Sequence, residues 1–262
     1  MPTNITPIIL TLNEELNIER TLSQLNWAQR IIIIDSYSTD KTISILKKYV
    51  QVELFQRKFD SFDKQSNFAL QQVKTEWVLS LDADYVVSDG LIEEIRLISD
   101  RAEDNGFWVP LRFCVDGVPL KCSVLPPRIV LFRKSKAVYY QDGHAHRLNI
   151  DGKTGHLRNF IYHDDRKPFK IWFKSQEKYS AQEADKLDNA DYNKLKWVDK
   201  LRKLAILVPL LMPVYILLFK RGVFEGKRAV YYAYLRAYYE AMLSLKLLKL
   251  YFGIKTTERL KP

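Results

Sequence analysis

Residues 77–84 read Trp77-Val78-Leu79-Ser80-Leu81-Asp82-Ala83-Asp84, a run of largely apolar side chains that closes on two carboxylates. A short apolar run of this kind predicts a strand buried on both faces, as in a parallel sheet. In an open parallel sheet ligands bind beyond the carboxyl ends of the strands, so this strand aims Asp82 and Asp84 at the ligand edge. Two hard oxygen donors one residue apart suit a divalent cation whose other ligands are water and phosphate oxygens. A chain with 18 Asp holds such a pair easily by chance; its place at a strand end is what gives it weight.

Three further strands precede it, over residues 5–12, 31–35 and 52–56, and apolar residues at three- and four-residue spacing between them predict helices over 15–25, 41–49 and 63–73. Asp40 is placed to cap the second helix and Ser88 to cap a fourth over 91–98. This alternation predicts an α/β domain built on a mostly parallel sheet flanked by helices. The other strand ends are also polar: Thr11-Leu12-Asn13-Glu14-Glu15 after the first, and Asp35-Ser36-Tyr37-Ser38-Thr39-Asp40 after the second. Beyond Gly106 the pattern changes to β-like segments at 107–115 and 118–122 around an Asp116-Gly117 turn, then at 128–133 and 138–141. No Gly-rich phosphate loop occurs, which argues against P-loop and dinucleotide enzymes.

Charge is distributed unevenly. Residues 194–262 hold 15 Lys/Arg against 4 Asp/Glu, a balance of +11, whereas residues 1–193 hold 26 against 27, a balance of −1. The basic quarter is also the most apolar, which suits an anionic lipid surface better than nucleic acid. Residues 204–219 are sixteen uncharged residues flanked by Arg202-Lys203 and Lys220-Arg221. At the helical rise they reach about 24 Å, short of the roughly 30 Å hydrocarbon layer, and Pro209 and Pro213 are expected to break the segment. A partly inserted or surface-lying segment is predicted, followed by an aromatic-rich amphipathic helix over 229–251. Packing of both helices on the rest of the chain, or a homo-oligomer contact, stays open as the alternative. Residues 1–12 lack a secretory-signal pattern, so the cytoplasmic face of the inner or plasma membrane is the expected location. Cys114 and Cys122 have no metal-type spacing and read as buried apolar residues.

The ordered set Thr11–Glu15, Ile34–Thr42 and Trp77–Asp84 resembles the family 2 glycosyltransferases, in the branch that includes lipopolysaccharide-core and exopolysaccharide sugar transferases. The resemblance covers about 170 residues and implies a GT-A fold over 1–166, with a nucleotide-binding half (1–105) and an acceptor half (106–166). A helical linker (167–200) and membrane-associated helices (201–262) would follow. The resemblance implies that Thr11, Asn13, Glu14 and Ser38 line the nucleotide pocket, that Asp35 bonds the base, and that Lys64 approaches the nucleotide. Asp82 would face the ribose or the metal, and Asp84 would ligate Mn²⁺ or Mg²⁺ on the diphosphate.

All four histidines, His144, His146, His156 and His163, fall within twenty residues, and His163 at an apparent strand end resembles the imidazole that completes the metal shell in many GT-A enzymes. Relatives often have a Glu after the metal pair, where this chain has Tyr85, and a His-Glu pair where it has Ala145-His146. Asp142 is therefore the first choice as the base for an acceptor hydroxyl and His146 the second, with His144 beside them. The run Asp164-Asp165-Arg166-Lys167 reads alternatively as a cap of the following helix. The expected function is an inverting, metal-assisted transfer of sugar from a UDP-sugar to a lipid-linked or cell-surface glycan. A nucleotidyltransferase and a silent nucleotide-sugar-binding membrane scaffold are the alternatives.

Overall fold

Four consecutive isoleucines, Ile31–Ile34, are fully buried in one strand, and their alternation sets the architecture. In the computed structural model, which describes residues 5–98, 102–142 and 145–254, Ile31 and Ile33 enter one hydrophobic layer and Ile32 and Ile34 the other. A strand apolar on both sides needs cover on both, the condition of a parallel sheet between helices.

The chain divides between Lys167 and Pro168 into two units. In the first, the strands are β1 (Ile5–Thr11), β2 (Ile31–Asp35), β3 (Val52–Gln56), β4 (Trp77–Asp82), β5 (Tyr85–Val87), β6 (Gly106–Val109) and β7 (Leu111–Val115). They continue with β8 (Val118–Pro119), β9 (Arg128–Arg133), β10 (Ala137–Asp142), β11 (Ala145–Ile150), β12 (Thr154–His156) and β13 (Ile161–His163). The main sheet has the order β12-β6-β9-β4-β1-β2-β3. Strands β3, β2, β1 and β4 run parallel, and β9 joins antiparallel to β4. Helices α1 (Ile18–Ser23), α2 (Thr42–Leu46) and α4 (Asp89–Arg96) bury Ile18, Leu22, Leu46 and Leu91 on one face. Helix α3 (Phe62–Gln72) covers the other face through Ala69 and Leu70, with Val73 just beyond its end. The expected mostly parallel α/β sheet is present, and Ser88 caps α4 by accepting from the Leu91 N–H.

The polar ends are shorter than the helical periodicity suggested. Leu12 leaves the first strand, and Asn13 takes a left-handed φ of 55°. Lys41 stands at the N-cap of α2, while Asp40 accepts from the Thr42 N–H and, through its other oxygen, from the Glu15 N–H. In the second half, the expected strand over 107–115 is split because Pro110 has no N–H to give to a ladder. The Asp116-Gly117 turn is present, with φ of 52° and 76°, and closes the β7–β8 hairpin with Val115 opposite Val118. Strand β13 pairs antiparallel with β5 and parallel with β7, which puts His163 opposite Tyr85 and Phe113. Both cysteines are buried and neither forms a disulfide, and burial pushes the Cys114 thiol up to about 12.

The second unit contains α5 (Phe169–Asn189), α6 (Trp197–Lys203), α7 (Leu207–Val214) and α8 (Lys227–Tyr251). Its core is Ala184, Leu187, Ala205, Tyr239, Leu243 and Leu247. Arg202 holds α6 to α8 through two bonds to the buried Glu240, at 2.6 and 3.0 Å. The prolines do not break residues 204–219 as expected. Pro209 sits in the first turn of α7, where a missing N–H costs little, and Pro213 lies inside the helix. The backbone answers by widening into a π-helical turn over Tyr215–Phe219. Among the described residues no helix is long and apolar enough to cross a membrane.

Candidate active site

The strand order reverses at β1, since β2 and β3 lie to one side and β4 to the other. A crevice at the carboxyl ends of β1 and β4 is where an open α/β sheet binds ligands. The loop after β1 supplies Glu14 to this place, and the two-residue turn between β4 and β5 supplies Asp84. Thr21 on α1 fixes that turn by donating to the Ala83 carbonyl at 2.7 Å, and the Asp164 N–H donates to the Asp84 carbonyl at 3.0 Å.

Strand β13 then brings His163 Nε2 to 3.0 Å from Asp84 Oδ2, with both side chains mostly covered. The ring is held edge-on by Tyr85 and Phe113. Burial opposes a charge on this imidazole, but the Asp84 carboxylate, its hydrogen bond and Asp82 behind it outweigh burial and raise the His163 pKa above its ordinary value. Asp82 is half-exposed and pairs with Arg128 Nη1 at 3.2 Å. The Tyr85 hydroxyl also bonds Asp82; burial first, and the Asp82 charge next, keep that phenol protonated.

Glu14 is largely buried, accepting from Asn17 Nδ2 at 2.9 Å and from Lys167 Nζ. Burial pushes its carboxyl up to about 7, against the pull of Lys167 and with a further push from the Asp84 charge. The ammonium of Lys167 is raised in turn, because the charge of ionised Glu14 outweighs its own burial. Asn17 uses all its bonding capacity: it also donates to Asp165 Oδ1 at 2.9 Å and accepts from the Arg166 N–H at 2.9 Å and Arg20 Nη2 at 3.0 Å. Asp164 is buried between Arg20 and Arg166. The run 164–167 thus folds back on the β1–α1 loop, and α5 starts at Phe169, after Pro168, without a side-chain cap.

One strand over, Asp35 is fully buried. Its carboxylate accepts from Thr11 Oγ1 at 2.9 Å, from Ser38 N and Oγ at 2.8 and 2.5 Å, and from Gln56 Nε2 at 3.4 Å. Asn13 ties the two loops together, donating from its N–H to Ser38 Oγ and accepting from the Thr39 N–H, both at 2.8 Å. Lys64 is exposed in the first turn of α3.

The structure therefore brings Glu14, Asp82, Asp84 and His163 to one rim, and Thr11, Asn13, Asp35 and Ser38 to its neighbour. His156 is elsewhere, stacked on Trp108 at the far edge of the sheet. Asp142 and His146 occupy the tip of the β10–β11 hairpin, where Asp142 faces Ala145 and Gln141 faces His146 in register. His144 lies outside the described residues. Asn17 and Arg128 carry no signal in the sequence, and Asp164 and Lys167, expected there only as part of a helix cap, instead bind Arg20 of α1 and Glu14 of the loop after β1. A lone Asn before a helix reads as a cap, yet Asn17 makes no side-chain cap bond.

A carboxylate and an imidazole in mutual reach at a strand-end crevice fit a divalent cation that takes its other ligands from water and a diphosphate. Among the described residues no group of three or more His, Cys, Asp or Glu is placed to hold a metal. The protein side of such a site would be Asp84 and His163.

The architecture resembles that of GT-A glycosyltransferases. Residues 6–147, more than half of the chain, match the family described as Glycosyl transferase family 2, and the chain belongs to that family. An uncharacterized glycosyltransferase of Rickettsia bellii is 35% identical over 95 residues, covering 36% of this chain and 32% of its own length. The lipopolysaccharide core biosynthesis glycosyltransferase LpsC of Rhizobium meliloti is 25% identical over 162 residues, 59% of this chain and 60% of that protein. The matches thus span about a third of the Rickettsia relative and under two thirds of LpsC. Among solved structures, residues 1–349 of S. aureus TarS in complex with UDP-GlcNAc align with a TM-score of 0.51 at 16% identity, over 95% of this chain and 92% of that one. At that identity the likeness is one of fold.

Proposed function

We propose that this chain transfers a sugar from a uridine diphosphate sugar to a hydroxyl of a lipid-linked or cell-surface glycan, with inversion at the anomeric carbon. The observation that carries the reading is the Asp84–His163 pair at the switch point of a family 2 sheet, beside the Glu14–Lys167 pair. The Thr11, Asp35 and Ser38 cluster lies where the base and ribose would bind, and Asp35 holds the backbone of that wall in place. Lys167 and Arg128 offer cationic donors to a diphosphate, and exposed Lys64 can approach it from α3. A bound Mn²⁺ or Mg²⁺, held by Asp84 and His163 with Asp82 near it, would supply positive charge to the departing diphosphate.

In the transfer, the acceptor oxygen bonds to the anomeric carbon while the bond to the diphosphate oxygen breaks and its electron pair leaves with the nucleotide. The acceptor proton passes to a base on the β10–β11 hairpin, Asp142 or His146. Support for the donor class comes from the UDP-GlcNAc complex of TarS, and for the acceptor class from the name of LpsC. An acceptor of that class would be met at the cytoplasmic face of the membrane. A panel of nucleotide sugars with and without Mn²⁺ tests the reading. A ligand at a hundred times its Kd raises stability by about 2.7 kcal/mol. The reading requires a uridine-dependent shift and UDP release that Asp84→Asn lowers on the order of a hundredfold; a shift without any turnover supports a binding scaffold instead.

A further inference from the structure

We infer that α7, the π-helical turn after it and the start of α8 form a hairpin that docks in one leaflet of an anionic lipid bilayer. The inference deepens the membrane setting of the proposed acceptor, but it rests on the surface of the second unit alone.

Folding leaves the most apolar segment of the chain uncovered. Over Leu207–Phe219 the buried side chains are Val208 and Ile216. Leu210, Leu211, Leu218 and Phe219 are 68%, 52%, 62% and 76% exposed, and Phe224 in the following turn is 84% exposed. Single exposed apolar residues are ordinary; a helix and its connecting turn exposing this many in succession mark an interaction surface.

Charge identifies the partner. Lys200, Arg202 and Lys203 precede the segment and Lys220, Arg221, Lys227 and Arg228 follow it, while Glu225 is the one acidic residue from 200 to 228. Arg202 is engaged by Glu240, whereas Lys220, Arg221 and Lys227 are exposed. An apolar face rimmed by cations complements a hydrocarbon layer beneath anionic headgroups. A second copy of this chain would fit less well, since a two-fold contact sets each cationic rim near its own image. Tyr231, Tyr234 and Tyr238 are exposed at spacings that share one face of α8, and tyrosine favours the headgroup level.

Length decides between lying in the membrane and crossing it. Thirteen residues from 207 to 219 extend about 20 Å as a helix, against roughly 30 Å of hydrocarbon. Left-handed backbone at Arg221 and Gly226, with φ of 58° and 69°, lets the chain turn between α7 and α8. A hairpin of this size reaches into the near leaflet and returns.

The full chain should co-sediment with vesicles of mixed phosphatidylglycerol and phosphatidylcholine, and much less with phosphatidylcholine alone. Sodium chloride at high concentration should weaken the binding. Replacing Leu210, Leu218 and Phe219 together by Ser, all exposed positions, should lower vesicle affinity at least about tenfold without lowering the melting temperature. If that variant fails to fold, Lys220→Glu with Arg221→Glu provides the second arm and should erase the preference for phosphatidylglycerol. The inference is overturned if the wild-type chain stays in the supernatant with anionic vesicles. It is equally overturned if the folded serine variant sediments as wild type does, or if light scattering shows a dimer that the serine variant separates while no vesicle binding is seen. Vesicle binding without any uridine-dependent thermal shift would keep this inference and sink the catalytic reading.

Discussion

Asp84 Oδ2 lies 3.0 Å from His163 Nε2 although 79 residues separate them in the chain, and the contact fastens the turn after β4 to the end of β13. The two side chains form a unit: each orients the other, and the same two atoms would face a cation. Asp84→Asn and His163→Ala should each remove the Mn²⁺-dependent rise in melting temperature and lower kcat/KM on the order of a hundredfold. The double variant should fall little further than either single one, because groups that act together are not additive. Losses that simply multiply in the cycle would mean that the residues act separately.

Glu14 gives the site a titration close to neutral pH. Its carboxyl, held at about 7 by burial, binds a proton more tightly in the folded chain than in the unfolded one, where the ordinary value is about 4.3. The folded state is therefore favoured at low pH, and this contribution is lost as pH rises from about 4.3 through 7. The loss is about 4 kcal/mol, at roughly 1.4 kcal/mol for each pKa unit. Glu14→Gln mimics the protonated form at every pH, so it should match wild type near pH 4.5 and exceed its stability near pH 8. Denaturant midpoints across that range check this; parallel curves for the two proteins would show that Glu14 is already ionised at pH 5.

What the sequence revealed, and what it hid, follows from the range of the interactions. The run of four isoleucines and the strand Trp77–Asp82 announce a sheet covered on both faces, because burial repeats along the chain and needs no distant partner to be read. Asp84 was legible for the same reason, standing at a strand end. Asn17 and Lys167 were not, since their meaning depends on partners about 150 residues away, and a single amide or ammonium has no pattern of its own. His163 became readable through family resemblance, while its placement against Asp84 required β13 to pair with β5 across the domain. The prolines misled because proline near a helix start is harmless and one deeper can be absorbed by a wider turn.

The β10–β11 hairpin, which carries Asp142 and His146, is hydrogen-bonded to α3 at Tyr139 and packs Ala137, Leu148 and Ile150 against the domain core. Asn67 on α3 donates to the Tyr139 carbonyl at 2.8 Å and accepts from the Tyr139 N–H at 3.0 Å, closing a two-bond ring between helix and strand. The Tyr139 hydroxyl bonds Ser80 Oγ at 2.7 Å. Asn67→Ala leaves two backbone groups without that partner and should cost about 2 kcal/mol of stability. Tyr139→Phe should cost about 1 kcal/mol. Hydrogen exchange distinguishes a local effect from a global one: amides over 137–142 should lose protection in Asn67→Ala before those of β1 and β2 do. Uniform loss across the sheet would show that the hairpin does not open by itself.

Asn17 ties the loop after β1 to the segment after β13, and its four hydrogen bonds place both members of the Glu14–Lys167 pair. Asn17→Ala removes all four at a buried position and should cost about 3 kcal/mol. Its functional effect should differ from that of the Asp84 variants. With Lys167 no longer held by the run 164–167, a uridine diphosphate sugar should bind more weakly, raising KM about tenfold, while turnover at saturation changes little. Asn17→Asp is the sharper probe, since it keeps the acceptor for Arg20 and Arg166 but sets a second carboxylate against Glu14 and Asp165. That variant should bind the donor worse than alanine does at pH 8 and recover at pH 6, where Glu14 takes up its proton. Equal donor affinity in wild type and both variants would reduce Asn17 to a structural tie with no part in placing the substrate.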